Sequence, residues 1–198
     1  MVAESAELKD SIKTVNLWLF FWVIFVCIGV TSAIIFNATQ IYQSLEWANF
    51  DPRTNTIYVC IIGIGSCLGR IIVGIGAEKV RRASSILILA PVLLAVVLCA
   101  ILFVPPYYSL LFSFLAGATA FGISWSAIAV LSGDLFGHEN LGIHYNFVSC
   151  APLFSAVFIN ILLFSKVYDQ TAHQQGTYPN CYVRDCVQTT FYVLLGLD

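Results

Sequence analysis

Charged side chains are scarce in this chain. Nine Lys or Arg and eleven Asp or Glu make up 10% of its 198 residues, where a soluble domain carries about 25%. The scarcity excludes a nucleic-acid partner, because the nine bases are scattered along loops and one helix instead of being massed on a face. Catalytic order is also missing. No Ser, His and Asp in triad order, no phosphate-cradling glycine loop and no paired carboxylates stand in a suitable context. The sequence therefore points to no enzyme and no cofactor. Cysteine is present without ligand spacing. Cys27, Cys60, Cys67, Cys99 and Cys150 are spread over four apolar runs without ligand spacing, which makes them small packing residues and predicts no metal site. His138 and His144, close to Asp134 and Glu139, are expected to be ordinary solvated loop residues, since no repeating ligand spacing supports a cation site.

What fills the chain is apolar sequence. Hydrophobic residues reach 59% and the mean hydropathy is +0.86, values that place most of the chain in lipid. The predicted fold class is an all-α polytopic membrane protein of about six transmembrane helices. Residues 1–14 form a polar lead-in with Glu4, Glu7, Lys9, Asp10 and Lys13. Residues 15–198 form one helical bundle, with spans at about 15–36, 57–77, 84–104, 107–131, 145–167 and 189–198. The first span, at 1.5 Å per residue, covers the ~30 Å of a bilayer core and is too long for a signal-peptide core, so it reads as uncleaved. The last is far too short to cross and reads as truncated.

The connections have their own chemistry. Residues 45–56, with Asp51, Pro52 and Asn55, read as an outer turn without helical period. The third span is almost purely aliphatic and reads as lipid-facing support. The fourth carries Gly117, Ala118, Thr119, Ala120, Gly122, Ser124 and Ser126, a small, hydroxylated face suited to tight helix contact or to a solvated cavity. Residues 133–144 read as a polar loop. Pro152 predicts a kink in the fifth span, and residues 169–188 form a long polar outer loop. Trp18, Trp22 and Trp47 fall near predicted interfaces and read as anchors.

Orientation follows from the bases. Between the second and third spans stands Glu78-Lys79-Val80-Arg81-Arg82, and short basic loops mark the cytoplasmic side. Placing the N-terminus inside leaves Lys9, Lys13, Lys79, Arg81 and Arg82 in the cytoplasm against Arg53, Lys166 and Arg184 outside. The result is a multi-pass integral membrane protein with a cytoplasmic N-terminus. Cys181 and Cys186 then lie on the outer side, where disulfides persist, at a spacing that can be bridged.

Gly74, Glu78, Lys79 and Arg82 also fall on the loop signature of the major facilitator superfamily, which this stretch resembles; Arg81 stands where that family usually has Gly. The later half resembles the nodulin-like branch of the superfamily more specifically. The residues that carry this are Ser132-Gly133-Asp134-Leu135-Phe136-Gly137, then Leu141 to Asn146, then Val167-Tyr168-Asp169, then Cys181, Cys186 and Thr190-Phe191. The resemblance implies the C-terminal six-helix half of a secondary active transporter that moves a small solute by alternating access. Its partners would be membrane lipid, the solute and the missing N-terminal half or another chain. A non-transporting membrane protein, a remnant or an assembly partner, is the alternative.

Arg70 lies inside the second span, about two turns from its cytoplasmic end, and an ionised residue at that depth costs a few kcal/mol unless compensated. Its spacing to Gly74 is similar to that in monocarboxylate transporters, where such an arginine binds the substrate carboxylate; those proteins carry an acid one turn earlier, where this chain has Ser66. Arg70 is accordingly the candidate for binding or gating an anionic solute. The competing expectation is that it extends to the interface or pairs with a carboxylate such as Asp134.

Overall fold

A computed structural model of the chain describes residues 8–45, 51–79, 84–103, 106–137, 139–174 and 191–192; at 78–79, 84–87, 106–108 and 171–172 it describes the backbone alone. Every regular element among these residues is a helix. After a single turn, α1 (Leu8–Ser11), comes α2 (Val15–Phe36), which closes where Asn37 folds back. Both its backbone N–H and its side-chain Nδ2 donate to the carbonyl of Ala33, at 3.2 and 2.9 Å. A short helix, α3 (Ala38–Leu45), buries one face through Ala38, Ile41 and Tyr42.

The next helix begins earlier than its apolar run does. α4 spans Pro52–Lys79, so the predicted outer turn at 45–56 is corrected at its C-terminal end. Asp51 is the reason. One carboxylate oxygen accepts the backbone N–H of Arg53 at 3.3 Å and the other that of Thr54 at 3.2 Å, capping N–H groups that have no partner inside the helix. Pro52 follows at the first helical position, where a proline loses no hydrogen bond.

α5 covers Ser84–Phe103 and α6 covers Pro106–Phe136. α6 ends at Gly137, whose φ of +84° suits glycine and whose N–H donates to Gly133 at 3.0 Å. The polar stretch 133–144 is thus helical on both sides of a brief turn, because α7 (Leu141–Val148) starts at once. The fifth run continues as α8 (Cys150–Ser155), a π-helical segment (Ala156–Ser165) and α9 (Lys166–Gln174). Its break falls at Ser149 rather than at Pro152. A proline ring clashes with the carbonyl four residues back, which here is that of Val148, the last residue of α7.

Four stretches are long and apolar enough to cross a membrane: Val15–Phe36, Pro52–Ala77, Ser109–Phe136 and Leu141–Gln170. The apolar described part of α5, Ile88–Phe103, is shorter. Of the predicted sixth span only Phe191 and Tyr192 are described.

Two of these helices form the centre. In α2 and α6 56% of the most apolar stretch is buried, against 17% in α4 and 28% in the fifth run. α4 and α5 pack on α6, and the fifth run packs on α2. The core clusters show which ends meet. One pools Leu17, Phe20 and Ile24 of α2 with Ala127, Leu131 and Phe136 of α6 and with Val148 and Ala151. Another pools Val30 and Ile34 of α2 with Tyr58, Ile101, Leu110, Phe114, Phe164 and Phe191. α2 and α6 are therefore antiparallel, and the chain runs up and down through the bundle. α5 is half core: Ala90, Leu94, Val97, Leu98, Ile101 and Leu102 are buried, which corrects its reading as mere lipid-facing support.

Candidate functional site

The seam between α4 and α6 is built from residues with almost no side chain. A Cβ on Gly65 would come within 2.6 Å of the Leu115 carbonyl oxygen and 2.9 Å of Ala118 Cβ; one on Gly69 would strike the Thr119 carbonyl, and one on Gly122 the Ser66 carbonyl. Backbone meets backbone here, as small residues permit in membrane packing. The sequence left the small face of the fourth span open between helix contact and cavity. Contact is what it makes.

One residue further on, the helix turns outward. Arg70 is exposed, and so are Gly63, Cys67 and Gly74, which share its face at helical spacing. Gly63 and Gly74 have open space where a Cβ would be. Arg70 thus stands in a shallow stripe of small residues. It lies nine residues before Lys79, about 13 Å along the helix axis. Among the described residues the single ion pair is Lys13 with Asp10, exposed and 3.2 Å long; Asp134 is exposed and forms none with Arg70. Gly74 therefore shares a face with Arg70. Glu78 and Lys79 close α4, and Arg82, Cys181 and Cys186 lie outside the described residues.

Across the bundle a second polar contact was not legible. Asn160, in the π-helical segment, donates through Nδ2 to Ser32 Oγ at 3.1 Å, and the Ser32 hydroxyl in turn donates to the Gly29 carbonyl at 2.8 Å. The Asn160 Oδ1 is buried without a partner. Ser165 Oγ donates to the Asn160 carbonyl at 3.1 Å, closing over the wider π turn. Such turns are rare and cluster at functional places. A lone Asn in an apolar run was the signal available for it.

At the lead-in end, His144 is fully buried, which corrects its reading as a solvated loop residue. Its Nδ1 lies 3.0 Å from the Asn140 carbonyl and its Nε2 2.8 Å from Ser11 Oγ. A carbonyl only accepts, so in the neutral ring Nδ1 carries the proton and Nε2 accepts from Ser11. The ring stacks on Phe136 with centroids 4.4 Å apart and planes 3° from parallel. Ser11 and His144 thus tie the lead-in to the turn after α6. Four of the five cysteines read as packing residues, Cys60, Cys67, Cys99 and Cys150, face outward instead; Cys27 alone of these is buried.

No family model, curated protein or solved structure matches this chain. The chemistry has to be read from these residues themselves. Among the described residues no group of three His, Cys, Asp or Glu could hold a metal ion, and Arg70 is an exposed cation within a helix long and apolar enough to cross a membrane.

Proposed function

We propose that this chain is a half of a secondary transporter of the major facilitator type, of the nodulin-like branch, and that Arg70 binds or gates an anionic solute. One observation carries the reading: a guanidinium exposed on a helix long and apolar enough to cross a membrane, in a stripe of small residues, with no ion-pair partner among the described residues. On insertion scales such a charge costs about 2.5 to 3.5 kcal/mol in hydrocarbon. A water-filled pathway or an anion removes that cost, and the planar fork of Arg fits a carboxylate in two-point fashion. The solute would lie between this half and a second, at the membrane midplane, and the two would rock about it.

The lead-in, the end of α4 and the α6–α7 turn share one end of the bundle: Ser11 touches His144, and α4 runs parallel to α6 through the Gly65–Leu115 and Gly69–Thr119 contacts. We assign that end to the cytoplasm on the basic residues it carries, so the N-terminus lies inside. The test is uptake of labelled carboxylates and neutral amino acids in cells making the protein from its native reading frame, with surface abundance measured in parallel. Carboxylate uptake is expected, lost in Arg70→Ala and in Arg70→Lys, because Lys keeps the charge but not the fork. Unchanged uptake in Arg70→Ala would remove Arg70 from the mechanism, and no uptake of any solute would remove the transporter.

A further inference from the structure

A cavity of about 650 Å³ opens between α2 and the fifth run, and seven of its eight lining residues are aromatic. Trp18, Phe21, Trp22 and Phe25 come from α2; Phe147 and Phe158 mark its extent along the other wall. We propose that this groove holds an acyl chain of a membrane phospholipid in the leaflet on the lead-in side. The proposal rests on membrane insertion of these helices and not on transport.

The lining excludes polar ligands. Its one heteroatom outside the indole rings is the Cys150 thiol, whose S–H donates to the Asn146 carbonyl at 3.5 Å. The Trp18 indole N–H is also satisfied, donating to the Ile12 carbonyl at 2.9 Å, so that ring offers the groove its carbon face. Depth points to a single leaflet. From Trp18 to Phe25 the helix rises ~10 Å and from Phe147 to Phe158 ~16 Å, close to half of the ~30 Å hydrocarbon core. At the lead-in end Trp18 lies in the first turn of α2, where an interfacial Trp would stand, and the exposed Lys13–Asp10 pair lies beyond it.

The choice of a lipid over a second protein helix follows from how this chain packs its own helices. Both close contacts are built on glycine: Gly65, Gly69 and Gly122 in one, and Gly29 against Ser155 and the end of the Ile159 side chain in the other. The groove has no glycine, alanine or serine in its lining. Rings that keep a helix backbone at a distance still accept a flexible chain, which needs no hydrogen bonds and adapts to an irregular wall.

The test uses the whole chain, reconstituted in phosphatidylcholine vesicles containing a phosphatidylcholine with a diazirine midway along one acyl chain. After illumination, adducts are mapped by mass spectrometry. Labelling at Trp22, Cys150 and Phe154 is expected to exceed that at Ile64 and Ile71 on the open face of α4, which samples passing lipid; this comparison needs no variant. Cys150→Trp narrows the groove at its middle and should lower labelling at Trp22 and Phe154 by about tenfold, the loss expected when roughly two chain methylenes lose their burial, with α4 unchanged. Equal labelling of groove and α4, no response to Cys150→Trp, or cross-links from the groove to another protein chain would each overturn the proposal. Absence of label on α4 as well would overturn the insertion on which it rests.

Discussion

The α4–α6 seam and the α2 groove are two helix–helix contacts in one apolar bundle, and they are made in opposite ways. In the seam, glycines bring backbone against backbone, and the helix they hold is only 17% buried over its most apolar stretch, the seam included. In the groove, aromatic rings fill the space between helices without closing it. Lipid tails are as apolar as the side chains, so hydrophobicity alone cannot choose a partner in a membrane. Shape must choose. Close approach yields a fixed contact, and bulky rings yield a surface that something else can occupy.

The largest effect is expected where the seam is broken. Gly69→Ala and Gly122→Ala each drive a methyl into a carbonyl of the facing backbone, which cannot swing away as a side chain can. We expect a loss of about 3 kcal/mol in each, read from the unfolding midpoint in detergent, although Ala normally gains up to ~1 kcal/mol over Gly inside a helix. Gly63→Ala and Gly74→Ala, where the space is open, should show that ordinary gain. The same sign at all four positions would dissolve the distinction between seam and open face.

The groove side has its own anchor at His144. His144→Ala empties a buried, stacked position and leaves Ser11 without its ring partner, which should cost about 2 kcal/mol and expose the lead-in to protease. Ser11→Ala should cost only about 1 kcal/mol. Further along the same pair of helices, Ser32→Ala and Asn160→Ala should show a coupling of about 0.6 kcal/mol in a double-mutant cycle, the usual size for a hydrogen bond between membrane helices. A coupling near zero would mean that the contact at Gly29 and Ser155 holds these helices by shape alone.

The smallest effect belongs to the rings of the groove. Trp22 and Phe154 are 55% and 54% exposed, so Trp22→Ala and Phe154→Ala should each change the unfolding free energy by less than about 0.5 kcal/mol. A loss like that of the seam would show the groove to be core.

Much of this was readable and some was misread for reasons of the same kind. Val15–Phe36 has the predicted bounds because an unbroken apolar run needs nothing outside itself to be helical. The helical start at Asp51-Pro52 was written in cap chemistry, yet hydropathy marks where lipid begins and not where a helix does. His144 was misjudged because polar neighbours in sequence suggested solvent, whereas its real neighbours are Ser11 and Phe136. Arg70 could be placed on the second apolar helix from the sequence, but not on a face of it.

Composition and period decided that this chain makes apolar helices, about how long they are and that the second carries Arg70 well inside its apolar run, because each of those properties is local to a run of residues. Tertiary structure alone decided which faces meet. Gly65, Gly69 and Gly122 share a seam while Gly63 and Gly74 face open space. No local rule separates them, since a helix that is apolar all round has no preferred side until another backbone arrives to take one.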